Sequence, residues 1–168
     1  MSLRLKLEEL EERIAPTIIS AGSSTTFTDA DGDQIRITYG GPAGSQAEIL
    51  DDGGGDIGNG DTIGWISVAD TDYTSILLVE NLGGGNGVTT IADGVESVTT
   101  GADFGVIALG VDSAGENAGT VDLGDGAQIL VDGDLGMLVI NGDVDFDTAS
   151  EGHLILAQGD IGLVEVRG

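Results

Sequence analysis

From Ser23 onward, short apolar and β-branched runs alternate with clusters of Gly, Asp and Asn. Such punctuated runs read as strands separated by turns. They fall at Thr25–Thr28, Gln34–Tyr39, Ala47–Leu50, Thr62–Val68, Ser75–Glu80, Val88–Ile91, Glu96–Thr99, Val106–Leu109, Thr120–Leu123, Gln128–Val131, Met137–Ile140, His153–Ala157 and Leu163–Val166. Most are too short for a helix, and no amphipathic stretch of helical period can be drawn among them. The pattern therefore predicts an all-β body over residues 17–168.

Residues 1–16 follow a different period. Leu3, Leu7, Leu10 and Ile14 recur at helical spacing, forming one apolar stripe, and Pro16 disfavours helical geometry at Ala15. A short N-terminal amphipathic α-helix is expected there, and a helix this short needs a surface on which to dock its stripe. Its Glu residues interrupt any apolar core of a secretory leader, so no signal peptide is recognisable.

An internal repeat narrows the β architecture. Gly133-Asp134-Leu135-Gly136-Met137-Leu138-Val139-Ile140 matches Gly159-Asp160-Ile161-Gly162-Leu163-Val164-Glu165-Val166 at a shift of 26 residues. Ala102-Asp103-Phe104-Gly105-Val106-Ile107-Ala108-Leu109 is a third copy, 31 residues before the first of these, and Thr62–Val68 is a weaker relative. Repeats of this length indicate stacked coils, each burying its apolar face against its neighbours. A parallel β-helix (solenoid) fits better than a β-sandwich, because the hairpin pairs Asn59-Gly60 and Asp93-Gly94 are not spaced regularly between equal strands. If the coils stack, Asp103, Asp134 and Asp160 form a column. Turn-forming aspartates that bond their own backbone are the expected account of it.

Composition changes the picture in two ways. Glycine contributes 30 of 168 residues, all from position 22 onward, which suits a chain turning repeatedly. The net charge is −25, and residues 17–168 hold 26 acids against Arg36 and Arg167 alone. Phosphate backbones would be repelled, so nucleic acid is not an expected partner. Nor is membrane insertion, since no apolar run approaches the length of a span. There is no cysteine, and hence neither a disulfide framework nor thiolate chemistry.

The acids raise the question of metal. Asp29, Asp31 and Asp33 alternate before a strand, and Asp56 and Asp61 lie in a Gly-rich stretch that partly echoes a calcium-binding nonapeptide. Ca²⁺ accepts six to eight oxygens in relaxed geometry, so these five aspartates are its candidate ligands. Solvated turns are the competing explanation. Catalysis is not expected. Enzymes that cleave acidic polysaccharides need cations to stabilise developing negative charge, His153 is the sole histidine, and carbohydrate binding has no support in the residues.

A resemblance enters on Phe27-Thr28-Asp29-Ala30-Asp31-Gly32-Asp33, Gly41-Pro42-Ala43-Gly44 and the Gly-Asp-Leu-Gly coils. Together they resemble a module of large bacterial cell-surface β-helix proteins, in which an FTDADGD segment precedes coils reading GDLGxLxVxG. Leu7-Glu8-Glu9-Leu10-Glu11-Glu12-Arg13-Ile14 is similar to the N-terminal LEPLEDRI signature of such proteins, with Glu9 in place of proline. The resemblance implies an extracellular or cell-surface β-helix.

The given sequence ends directly after a repeat-type strand, so an open final coil is expected at Leu163, Val164 and Val166. Such an edge seeks a partner, and a second copy meeting it head to tail would build a filament. The stripe Leu3, Leu7, Leu10 and Ile14 would staple that junction. The expected function is thus a self-associating structural subunit, possible calcium assistance included. A Ca²⁺-dependent adhesin or binding module of a larger surface protein is the alternative.

Overall fold

A computed structural model describes residues 17–144 and 155–167. The helix expected over residues 1–16, and with it Leu3, Leu7, Leu10 and Ile14, lies outside the described residues, as does His153. The body is all-β, and its strands wind as a parallel solenoid of about three turns.

Thirteen strands form two facing sheets. The first contains β1 (Thr17–Ser20), β4 (Gln46–Asp51), β5 (Ile63–Ala69), β7 (Val88–Ser97), β10 (Gln128–Val131) and β12 (Ile155–Ala157), in that spatial order. A further strand, β9 (Thr120–Leu123), pairs with the first half of β7. The second sheet runs β2 (Ser23–Thr28), β3 (Gln34–Gly40), β6 (Ile76–Asn81), β8 (Phe104–Leu109), β11 (Leu135–Ile140) and β13 (Ile161–Val166). Each coil crosses from the first sheet to the second, so the chain climbs one strand per sheet per turn.

The solenoid does not begin as one. β1–β4–β5 and β2–β3–β6 are antiparallel, and parallel pairing starts only at β5–β7 and β6–β8. The first strands of both sheets are thus an antiparallel lead-in, which the strand pattern alone did not separate from the coils. Asp93-Gly94 is a kink inside the ten-residue β7 rather than a hairpin. The strand changes partner there: Ile91 pairs with Leu123 of β9, whereas Val95 pairs with Ile129 of β10.

The repeat copies stack in the register that the sequence alignment gives. Phe104 pairs with Leu135 and Leu135 with Ile161; Ile107, Leu138 and Val164 form a second column, and Leu109, Ile140 and Val166 a third. Thr62–Val68 is the exception. It forms β5 of the first sheet and pairs with β7, so it is not a fourth member of these columns. Inside the solenoid, aliphatic columns from both sheets make one core, to which Tyr39 and Phe104 add aromatic volume.

Glycine in the repeat is explained by close approach. Gly105, Gly136 and Gly162 occupy equivalent positions in β8, β11 and β13. A Cβ on Gly136 would lie 2.5 Å from the carbonyl oxygen of Gly105, and one on Gly162 would lie 2.4 Å from that of Gly136. Neighbouring backbones hold these oxygens in the sheet ladder, so they cannot retreat. Gly136→Ala is expected to cost about 1–3 kcal/mol through overpacking. Gly40→Ala, where a Cβ meets nothing within 4 Å, should be far milder. Thermal denaturation of the two variants side by side checks this.

Candidate functional site

The hairpin between β2 and β3 turns through Asp29–Asp33. Its backbone closes by Asp29 N–H donating to the Asp33 carbonyl at 2.9 Å, with Gly32 in the left-handed region at φ 102°. The aspartates then bind the loop to itself and to its neighbours. Asp29 Oδ1 accepts the amides of Asp33 at 2.9 Å and Asp31 at 3.3 Å, while its Oδ2 accepts the Thr89 hydroxyl at 2.9 Å. Thr89 Oγ1 in turn accepts Asn81 Nδ2 at 3.1 Å. Asp33 is fully buried and accepts the amides of Gly85 at 2.6 Å and Gly87 at 2.7 Å. This carboxylate fixes the Gly83–Gly87 turn between β6 and β7 against the hairpin.

Asp29, Asp31 and Asp33 each present a carboxylate oxygen within 4.8 Å of the others. Asp56 and Asp61 do not join that group. Asp56 Oδ1 accepts the Thr17 hydroxyl, and Asp61 Oδ2 accepts the Gly58 amide at 2.8 Å. Of the three clustered acids, the two buried ones are already occupied by donors from the protein, while Asp31 is exposed.

Protonation follows this division of labour. Burial pushes the Asp33 carboxyl up, but hydrogen bonds from Gly85, Asn81, Gly87 and Val88 outweigh it and hold the group below its ordinary range. Asp31 moves the other way, raised first by its hydrogen bond with the Asp29 carboxyl, then by desolvation and the Asp29 charge.

The column Asp103, Asp134 and Asp160 performs a similar task between coils. Asp103 Oδ1 accepts the Asp134 amide at 3.0 Å, and Asp134 Oδ1 accepts the Asp160 amide at 2.8 Å. Asp103 and Asp134 therefore grip the following coil rather than their own turns, a correction to the expectation of local bonding. Asp122 does the same for Asp143 at 2.6 Å. The two cations of the described body are also engaged. Arg36 forms a two-point pair with the buried Glu80 at 2.6 Å, and Arg167 Nε reaches Glu165 at 2.9 Å.

The second feature is the edge at β12 and β13. In β11 the inward side chains Leu135, Leu138 and Ile140 are 1%, 0% and 0% exposed. Their counterparts in β13, Ile161, Val164 and Val166, are 42%, 41% and 49% exposed. Leu163, on the opposite face, is exposed as well. Among the described residues, the coil core is thus uncovered on its far side at Ile161, Val164 and Val166.

One apolar group escaped the sequence reading. Leu78, Ala108 and Val139 lie on the outer face of the second sheet, where Val111 folds back to bury them in a small second core. Its signal was present as continuous apolar runs, Ile76–Val79, Val106–Leu109 and Met137–Ile140, in place of strict alternation. Such runs mark strands covered on both faces.

The fold defines the class of protein: an acidic, two-sheet parallel β-solenoid whose first described strands pair antiparallel. Comparisons with protein-family models, with curated proteins and with solved structures return no match. Among the described residues, no helix is long and apolar enough to cross a membrane.

Two measurements test the loop. Because Asp33 has a lowered pKa, its contribution to stability is present above the unfolded carboxylate range near pH 4 and is lost as pH falls through the lower folded value. Asp33→Asn should therefore reduce stability at pH 7 by about 1–3 kcal/mol. The gap between wild type and variant should close below about pH 4 in melts recorded across pH. Since protein donors already satisfy Asp29 and Asp33, a chelator is expected to leave the melting temperature at neutral pH unchanged. A drop of several degrees on adding EDTA, restored by Ca²⁺, would instead assign the cluster to a cation.

Proposed function

We propose that this chain is a non-catalytic structural subunit of an extracellular or cell-surface assembly, extended head to tail through the open coil β12–β13. The observation that carries the reading is the exposure of Ile161, Val164 and Val166 directly above a column that is otherwise sealed. An aliphatic side chain left half in water forgoes part of the roughly 1.5–3 kcal/mol that full burial contributes. Unpaired backbone groups along the same edge add a template for strand addition. A contact made by one end of a coil stack is heterologous, and repeating it lengthens the stack without closing it.

Charge supports the same reading. Twenty-six acids on the body repel copies that approach side by side, whereas the apolar edge is a surface that repulsion guards least. The resemblance to bacterial surface β-helix proteins supplies the location.

Val164→Lys tests the proposal, because the residue is exposed and its change leaves the internal columns intact. The wild-type chain is expected to sediment as a concentration-dependent series and to form filaments under negative stain. The variant should remain a single small species with a melting temperature close to that of the wild type. Monodisperse wild-type protein at every concentration would overturn the reading.

A further inference from the structure

The two ends of the solenoid match each other strand for strand. Among the described residues, the sheets terminate in β1 and β2 at one end and in β12 and β13 at the other. The edge strands of the second sheet, β2 and β13, have six residues each, and those of the first, β1 and β12, have four and three.

Polarity matches too. β2 is antiparallel to β3, and β3 to β6, so β2 runs in the direction of β6 and of its parallel successors β8, β11 and β13. By the same count, β1 runs with β5, β7, β10 and β12. The antiparallel lead-in reverses direction twice in each sheet. It thereby returns both N-terminal edges to the direction of the coils.

Resting on the assembly reading above, we infer that the partner of edge β12–β13 is edge β1–β2 of a second copy, joined by translation along the solenoid axis so that both sheets continue as parallel sheets. The columns set the register. Ile18, Glu48, Ser67, Glu96, Leu130 and Leu156 stand in one column across the first sheet, which places Ile18 of the next copy beside Leu156. Ser23, Tyr39, Leu77, Ile107, Leu138 and Val164 form a column of the second sheet, as do Thr25, Ile37, Val79, Leu109, Ile140 and Val166. Val164 and Val166 therefore meet Ser23 and Thr25 of the next copy.

In the first sheet, side-chain chemistry agrees with this register, while in the second Val164 and Val166 meet the small Ser23 and Thr25, which cover them with little more than a Cβ and, for Thr25, a methyl group. Ile18 and Leu156 are 53% and 43% exposed, and the junction sets these two outlying aliphatics side by side. Residues 17–28 contain no charged side chain, in a protein of net charge −25. Asp160 and Glu165 at the opposite end thus face no like charge, and Glu165 brings its own partner Arg167. Among the described residues, β1 and β2 bring no carboxylate of their own to this junction, and Asp56, which lies against β1, is bonded to the Thr17 hydroxyl.

Cysteine pairing in the full-length chain tests the junction, because the protein has no thiol of its own. Within one molecule, Ile18 and Leu156 are separated by five strand spacings, roughly 24 Å, too far for a disulfide. Across the inferred junction they are neighbours on adjacent strands. Mild oxidation of the Ile18→Cys, Leu156→Cys double variant is expected to give a reducible ladder of covalent trimers and larger species, whereas each single variant stops at dimers. A control pairing Leu156→Cys with Tyr73→Cys, which is 77% exposed on a loop, should give no ladder. Filaments without the Ile18–Leu156 ladder, or an equal ladder from the control, would overturn this junction and leave the assembly reading standing. Wild-type protein that stays monomeric, with no ladder from the double variant, would overturn both and assign the edge to further coils of a longer chain or to another protein.

Discussion

The structure depends on the stacking of one coil on the next at the spacing of a parallel β ladder. Everything distinctive about the sequence follows from keeping that spacing short and repeated. Gly105, Gly136 and Gly162 leave room where successive backbones press together, and a single methyl group there would collide with the carbonyl oxygen of the coil before. Asp103 and Asp134 tie the same corner from outside by accepting an amide of the following coil. The aliphatic columns then fill the interior, since each side chain is covered by its equivalent one turn away. A coil is consequently finished only by its successor. This one constraint explains both the sealed interior and the bare edge at β13.

How much of this was legible depends on whether a feature lies in the period or in the partner. The repeat units were legible because the same Asp, Gly and aliphatic positions recur, and pairing follows the alignment to the residue: Phe104 on Leu135, Leu138 on Val164. The alignment of Leu163, Val164 and Val166 with Met137, Leu138 and Ile140 was legible for the same reason. Strand direction at the start was not. β2 and β3 carry an alternating pattern that serves parallel and antiparallel neighbours equally, and periodicity does not encode polarity. Thr62–Val68 misled because its glycine has a local cause of its own: a Cβ on Gly64 would strike the Asp51 carbonyl of β4, the neighbouring antiparallel strand of the same sheet. The acids were visible as a cluster, yet their partners were not, since the amides of Gly85 and Gly87 that hold Asp33 lie more than fifty residues away.

That last point changes the meaning of the negative charge. A chain with a net charge of −25 invites a search for compensating cations. Many of the carboxylates instead have work within the backbone. Asp29 and Asp33 organise the first hairpin, Asp51 and Asp112 close their own turns, and Asp103, Asp122 and Asp134 bind one coil to another. A carboxylate is suited to these corners because it is short and accepts strong charge-assisted bonds from the amides that a turn leaves unpaired. Acidity here is in good part a by-product of building a solenoid with many corners. Asp31 marks the limit of the device: it is exposed, its one amide donor, Asp33, is long at 3.4 Å, and its hydrogen bond with the Asp29 carboxyl holds its pKa up.

The same charge then acts on the outside of the molecule, where it discriminates between modes of contact. An edge strand is an indiscriminate template, and an apolar one invites association in any orientation. Carboxylates distributed over the turns make lateral approach unfavourable in proportion to the surface brought together, and salt weakens that protection. The axial approach proposed above would run through Thr17–Ser20 and Ser23–Thr28, strands that carry no charged side chain of their own. If copies do meet end to end as proposed, one residue type placed on the turns and kept off the first edge serves both as acceptor for corner amides and as a restriction on lateral contact. Stability of the coil and, on the proposed head-to-tail reading, the direction of assembly then follow from the same distribution of aspartate.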